Sequence, residues 1–388
     1  MKKIIIVNNN MQIGGVQKSL CDLLWTIHDR YDITLCLFGA NGAYMQQLPP
    51  NIKLVYPQGP FRYLGNSQSN WKGIDRLLRG GYALLAKLLG RHVAMKLILA
   101  GEKTLPEQYD CAVSFLHNGK IQNFYGGTQE FVLSRIKATR KVAFLHCDYR
   151  HCGADHPVNN RLLEKFDKIA CCSDGCRRAF LEVLPNLGER AVTVRNAHQF
   201  DQILQLAQQN PVVYPADVCN VVMVSRLSKE KGIERALEAV AHCLNCGIAV
   251  RLHIVGGGGL QAALEAQAVQ MGIAEQVHFY GEQSNPYRYM RNADLLMMTS
   301  YHEAAPMVLD EALCLGVPML TTRTTSADEM VTQRQCGWVC DHDQDAINQT
   351  LQLVLENPDQ LKKIKMQLHE QKANNAQVIA QFVELIEG

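Results

Sequence analysis

The stretch Asp294-Leu295-Leu296-Met297-Met298-Thr299-Ser300-Tyr301-His302-Glu303-Ala304-Ala305-Pro306-Met307-Val308-Leu309-Asp310-Glu311 reads as strand, loop and helix in immediate succession. A short unbroken apolar run is the pattern of a strand buried on both faces. Pro306 suits the first helical turn, where its missing N–H costs nothing and its fixed φ is already helical. A strand that feeds a helix through a short loop is half of a βαβ unit. Repetition of that unit builds a parallel α/β sheet.

The pattern does repeat. On either side lie strand-like runs at Val221–Ser225, Val250–Val255, Val277–Tyr280 and Val317–Leu320, with helices predicted over Gly232–Cys246 and Met307–Leu315. The first half carries the same alternation at Ile4–Asn8, Ile33–Phe38, Ile52–Val55, Cys111–Phe115 and Val142–His146, and Gly14-Gly15 opens a helix that runs to about His28. The chain's 388 residues are enough for two such domains. The polar, proline-bearing segment Gln208–Pro215 reads as the linker between them. This gives an α/β protein of two Rossmann-like domains, 1–208 and 209–371.

Composition narrows the function. A net charge of +2 argues against general nucleic-acid binding, which needs a basic face. The fourteen cysteines are scattered, often within apolar runs such as Ile169-Ala170-Cys171-Cys172, and read as reduced, buried thiols of a cytoplasmic protein. No signal peptide is expected, because the chain enters its first strand at once. Residues 71–101 stand apart: Ile74, Leu77, Leu78, Leu85, Leu88 and Leu89 recur at helical spacing among Lys72, Arg76, Arg79, Lys87, Arg91 and Lys96. Such a segment is either a surface helix packed on the sheet or a basic amphipathic contact for the inner face of an anionic membrane.

Three groups of residues carry candidate chemistry. Glu303 falls in the loop after a strand and Glu311 in the following helix, at the carboxyl end of the sheet where open α/β folds bind ligands. The free amides of Met307 and Val308, behind Pro306, can hold an anionic diphosphate. One carboxylate can accept hydrogen bonds from sugar hydroxyls, the other from ribose hydroxyls. In Ser225-Arg226-Leu227-Ser228-Lys229-Glu230-Lys231-Gly232, Arg226 and Lys231 can neutralise a diphosphate. The run Gly256-Gly257-Gly258-Gly259 after a strand is a weak dinucleotide fingerprint, and its simplest role is a tight turn with close backbone approach to a ligand.

In content and order these elements resemble the retaining glycosyltransferases of family four, of the bacterial surface-polysaccharide type. In that resemblance Arg226 and Lys231 are the diphosphate-binding pair, and Gly256 and Gly258 follow where expected. Phe279-Tyr280-Gly281 is the turn that meets the nucleobase, and Glu303 and Glu311 are the paired glutamates. Pro318 and Ser326-Ala327-Asp328-Glu329 also match. In the first half, Asn9 through Gly14-Gly15 resembles the loop that approaches the donor, and His146-Cys147-Asp148-Tyr149 the family's His-x-Asp-Tyr segment. Cys172-Ser173 and Arg195-Asn196-Ala197 match two further landmarks. Family members often carry glycine where this chain has Ala304.

The resemblance implies a GT-B fold, with two Rossmann-like domains whose parallel sheets face each other across a cleft, and a final helix, about Ala376–Ile386 within 372–388, that returns to the first domain. It implies transfer of a hexosyl group from a nucleotide-diphosphate sugar, UDP-sugar favoured, to a glycan or lipid-linked acceptor. Arg226, Lys231, Glu303 and His146 are the expected catalytic residues. Gly14, Gly15, Gly256, Gly258, Gly281, Pro306, Met307, Val308 and Glu311 are the expected donor-binding residues. No cofactor and no metal are expected, because two cations serve the leaving group. His146, Cys147, His151, Cys152, His156, Cys171, Cys172 and Cys176 crowd together, but their spacing matches no standard zinc finger. Two rival classes share the fold: a nucleotide-sugar epimerase, and a non-catalytic partner subunit.

Overall fold

The computed structural model describes residues 1–388. They form two compact units, Met1–His198 with Asn375–Gly388, and Gln199–Asn374. The first holds seven strands: β1 (Lys3–Asn8), β2 (Asp32–Leu37), β3 (Lys53–Val55), β4 (Gln108–Ser114), β5 (Lys137–Leu145), β6 (Lys168–Cys171) and β7 (Ala191–Thr193). Their order across the sheet is β3-β2-β1-β4-β5-β6-β7, and every pairing is parallel. Six helices accompany them: α1 (Gly15–Ile27), α2 (Gly73–Leu89), α3 (Arg91–Ala100), α4 (Thr128–Arg135), α5 (Pro157–Leu163) and α6 (Asp174–Val183).

The second unit starts with α7 (Phe200–Ala207) and holds six strands, β8 (Cys219–Val224), β9 (Val250–Val255), β10 (Val277–Phe279), β11 (Leu295–Met298), β12 (Met319–Thr322) and β13 (Gly337–Cys340). Their order is β10-β9-β8-β11-β12-β13, again all parallel. The helices are α8 (Ile233–Asn245), α9 (Gln261–Gln270), α10 (Tyr287–Met290), α11 (Met307–Cys314), α12 (Gln344–Glu356) and α13 (Pro358–Glu370). Both sheets have the α/β form expected from the sequence.

The last helix, α14 (Ala376–Glu387), packs in the first unit. Val378, Phe382, Leu385 and Ile386 join Ile4, Ile6, Ile33, Cys111 and Phe144 in one buried cluster. Each such side chain contributes about 1.5–3 kcal/mol by leaving water. The Tyr31 hydroxyl donates to Glu387 at 2.9 Å, and Arg140 donates to the Leu385 carbonyl at 2.9 Å.

Two expectations are corrected. The units divide at His198/Gln199, not at 208/209, and at Asn374/Asn375, not at 371/372. Residues 208–215 are no free linker: the Val212 amide donates to the Arg288 carbonyl at 3.0 Å, and Tyr214 Oη to the Tyr289 carbonyl at 2.8 Å. Helix α7 precedes them and buries Ile203 and Ala207 in the second unit's core, which pulls the boundary upstream. In the 71–101 segment, Gly80 and Gly81 stay helical, and the break falls at Gly90, where φ is 88°. Arg91 does not face solvent: it is fully buried and pairs with Glu130 at 2.5 Å and Asn159 at 2.8 Å.

All fourteen cysteines are free thiols. Burial pushes Cys21, Cys111 and Cys243 up to about 12, so these stay protonated core residues. Cys243 and Cys246 sit at the end of α8, where no helix N-terminus stabilises a thiolate.

Candidate functional site

The loops at the carboxyl ends of β8 to β11 are stitched into one rim. From β8 to β9, the Ser225 amide donates to the Val255 carbonyl at 3.1 Å and the Leu227 amide to the Gly257 carbonyl at 2.9 Å. From β9 to β10, the Gly256 amide donates to the Gly281 carbonyl at 2.8 Å. From β8 to β11, the Tyr301 amide donates to the Glu230 carbonyl at 2.9 Å, and Thr299 Oγ1 to the Gly232 carbonyl at 2.7 Å. Arg235 closes the junction, donating to the Thr299 carbonyl at 3.0 Å with its guanidinium 4.5 Å from the centre of the Tyr301 ring.

The glycines make this stitching possible. A Cβ on Gly256 would fall 1.9 Å from the Ser225 carbonyl oxygen, and φ there is 142°. A Cβ on Gly258 would fall 2.3 Å from the Leu227 carbonyl oxygen. Both glycines are thus required by close approach to the neighbouring loop. Gly281 serves its turn at φ 65°, with open space where a side chain would stand.

The rim brings two of the expected residues into contact. Lys231 Nζ lies 2.6 Å from Glu303 Oε1, and Ser300 Oγ donates to the same oxygen at 2.8 Å. The pair is mostly shielded, 19% and 12% exposed. Arg226 is apart from it, 70% exposed and held only at Glu230 Oε1, 3.1 Å away. Directly after Glu303 the chain enters α11 at Pro306, and no side chain caps the helix. The Met307 and Val308 amides belong to the first turn, which has no intrahelical acceptors for them. Glu311 is buried inside α11, with one oxygen held by the Tyr287 hydroxyl at 3.0 Å. Ala304 lies outside the left-handed region, so its methyl group brings no backbone strain. Its carbonyl accepts from Ser326 Oγ, which ties in the loop after β12. A cavity of about 370 Å³ lined by Lys229, Glu234, Leu260, Ala263, Leu264, Gln267 and Tyr301 lies beside this site and contains none of the expected residues.

Beneath the rim, His253 on β9 is fixed by two partners. Asn220 spends its Nδ2 on the Pro215 and Val218 carbonyls, so its Oδ1 accepts from His253 Nε2 at 3.2 Å. His253 Nδ1 then accepts from the Tyr280 hydroxyl at 3.0 Å. Burial, reinforced by His278 and Arg251, pushes this imidazole down to about 4, so it is neutral. Tyr280 is thereby turned toward His253, with its ring 4.6 Å from that of Tyr289, centre to centre.

In the first unit, β1 is followed by a loop over 9–14, Gly14 stands at the N-cap of α1 and Gly15 is its first residue, and no side chain caps that helix either. A Cβ on Gly14 would meet only the flexible end of Gln17, and one on Gly15 would meet nothing, so neither glycine is required by a protein neighbour. His146 leaves the end of β5 with its ring 4.6 Å from Phe115 and 5.6 Å from Phe144, centre to centre. Its Nε2 is shielded and has no hydrogen-bond partner. Burial, and the nearby His117, push it down to about 3, so it is a neutral imidazole. Asp148 accepts from the Arg150 amide at 3.0 Å, and Tyr149 donates to Asn160 at 2.7 Å, which anchors the segment that follows.

The sequence did not point to Ser300 or Tyr287, and it gave Ser326 only as part of the Ser326–Glu329 segment, without its contact to Ala304. Ser300 directly follows a strand end, a signal that could have been read. Tyr287 reaches Glu311 only through the packing of α10, for which no linear signal exists.

Two parallel α/β sheets with these site loops match the GT-B architecture. With the Anabaena protein Alr3699/HepE, solved with UDP and glucose, the chain aligns over 100% of both chains at a TM-score of 0.70 and 19% identity, a likeness of fold. Residues 213–371 match the family described as glycosyl transferases group 1, so the second unit contains a domain of that family. Among curated proteins, the lipopolysaccharide glucosyltransferase WaaG of Escherichia coli is 32% identical over 127 residues, 32% of this chain and 34% of WaaG. The putative colanic acid biosynthesis glycosyltransferase WcaL of Escherichia coli is 29% identical over 150 residues, 36% of this chain and 37% of WcaL. The chain thus spans about a third of the length of these curated relatives.

Proposed function

We propose that the chain is a retaining glycosyltransferase that moves a hexosyl group from a nucleotide-diphosphate sugar, a UDP-sugar in the favoured form, to a glycan or lipid-linked saccharide in the assembly of a cell-surface polysaccharide. The observation that carries this reading is the contact between Lys231 and Glu303 at the open start of α11, inside the group 1 domain. A cation, free helix amides and an acceptor carboxylate form a set suited to a sugar diphosphate. The relatives WaaG and WcaL, named for lipopolysaccharide and colanic acid, support the acceptor class.

In this reading Arg226, Lys231 and the Met307 and Val308 amides stabilise the departing nucleotide diphosphate. Fixed charges and dipoles aimed at a leaving group usually contribute more to the rate than any other single effect. Glu303 orients donor hydroxyls, and Glu311 holds the ribose. His146 is assigned to the transferred sugar through its neutral ring and carbonyl. The leaving phosphate takes the acceptor proton in a front-side displacement, without a metal or other cofactor. Binding of UDP, GDP, ADP and NAD is compared by thermal stabilisation, which a ligand of the folded state must produce. UDP and its sugar conjugates are expected to raise the melting temperature, and a response to NAD alone would overturn the reading. The anomeric configuration of the product, read by NMR, tests retention.

The same reading places the acceptor at a membrane surface. No helix is long and apolar enough to cross a membrane. Helix α2, however, turns Ile74, Leu77, Leu84 and Leu88 to solvent, 72%, 76%, 57% and 70% exposed, beside Lys72, Arg76 and Lys87. Residues at this spacing form one apolar stripe, and such a stripe with flanking cations suits an anionic bilayer. Co-sedimentation with anionic vesicles is expected for the protein and not for Leu77→Glu/Leu88→Glu; equal sedimentation of both would remove this contact.

A further inference from the structure

A cluster in the first unit has no part in the reading above. His117 lies just beyond the carboxyl end of β4, and Cys147 just beyond that of β5. Since β4 and β5 are hydrogen-bonded neighbours, two residues distant in sequence emerge side by side. The chain then turns sharply: the His151 and Cys152 amides both donate to the Asp148 carbonyl, at 3.1 and 2.9 Å. That turn returns Cys152 Sγ to 3.1 Å from Cys147 Sγ. One ring nitrogen of His117 and the two sulfurs lie within 4.8 Å of one another. His117 Nδ1 is shielded from solvent and has no hydrogen-bond partner.

We propose that His117, Cys147 and Cys152 form a binding site for a soft divalent metal ion of the Zn²⁺ class, with the fourth coordination position open. One imidazole and two thiols are the nitrogen and sulfur donors that Zn²⁺ takes, and three protein ligands leave a tetrahedral ion one free position. Sulfurs bound to one such ion stand roughly 3.7 Å apart, so the pair opens by about half an ångström on binding. The ion displaces the thiol protons, and two thiolates then cancel its charge, which suits a half-buried place. The expectation of no metal site rested on spacing along the chain, where His117 is invisible. The site is not needed for the transfer reaction. A bound ion fastens the 147–152 turn, and with it the segment that starts at His146, to the exit of β4.

The test uses the reduced, metal-stripped full chain and Co²⁺ as the probe. The expected result is thiolate-to-cobalt charge-transfer absorption with the visible bands of a tetrahedral site, displaced by Zn²⁺. Cys147→Ser, Cys152→Ser and His117→Ala should each weaken uptake by at least about tenfold, the lower end of what even a supporting residue costs. Cys246→Ser should leave the bands intact, which separates the site from the exposed Cys246 beside His242 in the second unit. Circular dichroism reports whether each variant folds, and half-buried Cys152 gives the test if Cys147→Ser does not. Absence of the bands, or their survival in the folded Cys152→Ser or His117→Ala protein, would overturn the proposal. So would a Cys147–Cys152 disulfide whose reduced form takes up no metal.

Discussion

Lys231 and Glu303 are 72 residues apart in the chain, yet Lys231 Nζ stands 2.6 Å from Glu303 Oε1. The contact exists because Tyr301 and Thr299, after β11, hydrogen-bond to the backbone of Glu230 and Gly232, after β8. If it lies at the reaction centre, Lys231→Ala and Glu303→Gln should each reduce sugar transfer by about 10²–10³-fold, the cost of losing one preorganised charge partner. UDP release, followed with and without acceptor, checks this, and melting curves confirm folding.

Arg226 gives a cleaner separation of roles. It is exposed and tied only to Glu230, so Arg226→Ala should change stability by less than about 1 kcal/mol. The rise in melting temperature on adding UDP should nevertheless disappear. An unchanged UDP response in this variant would remove Arg226 from the donor site.

The glycines of the rim make a graded series. Gly256→Ala and Gly258→Ala drive a methyl group onto backbone oxygens at 1.9 and 2.3 Å, whereas Gly259→Ala meets nothing within 4 Å. The first two should lower the melting temperature by several degrees, and Gly259→Ala should leave it nearly unchanged. The ranking is read by calorimetry without any ligand.

The buried pair in the first unit predicts a stability effect of its own. Arg91→Met leaves the Glu130 carboxylate without its cation, and should cost about 3–5 kcal/mol in urea unfolding. Replacing both, as Arg91→Met/Glu130→Leu, removes the stranded charge and should recover part of that loss.

His253 predicts an acid limb. Its pKa is pushed from an ordinary 6.5 to about 4 in the folded protein, so the unfolded chain takes up the proton first as pH falls. The stability this group contributes is complete above pH 6.5 and is lost on acidification towards pH 4. In His253→Gln that limb should flatten by up to roughly 1.4 kcal/mol per pH unit, read from unfolding curves across the window.

Most of the architecture could be read from the chain because buried parallel strands leave unbroken apolar runs. β1, β2, β4, β9 and β11 are legible in this way. β7 and β13 were not, since Ala191–Thr193 and Gly337–Cys340 are short edge strands whose pairing is decided by a neighbour. Motif order singled out candidate residues, but their contacts could not be read from it. Nothing linear says that Lys231 meets Glu303 while Arg226 turns to solvent, or that Gly256 and Gly258 serve the neighbouring loop. His117 shows the same limit: parallel pairing of β4 with β5, not sequence spacing, sets it beside Cys147.

Helix α14 fixes the order in which the protein can be completed as it is made. The second unit is one uninterrupted stretch, Gln199–Asn374, and can close its core without the last helix. The first unit cannot. Its sheet is synthesised early, but the surface around Phe144 and Tyr31 stays uncovered until Phe382 and its neighbours emerge. The half of the molecule that is born first therefore waits for the last helix, and a chain that ends before residue 376 displays an open apolar groove to chaperones and proteases.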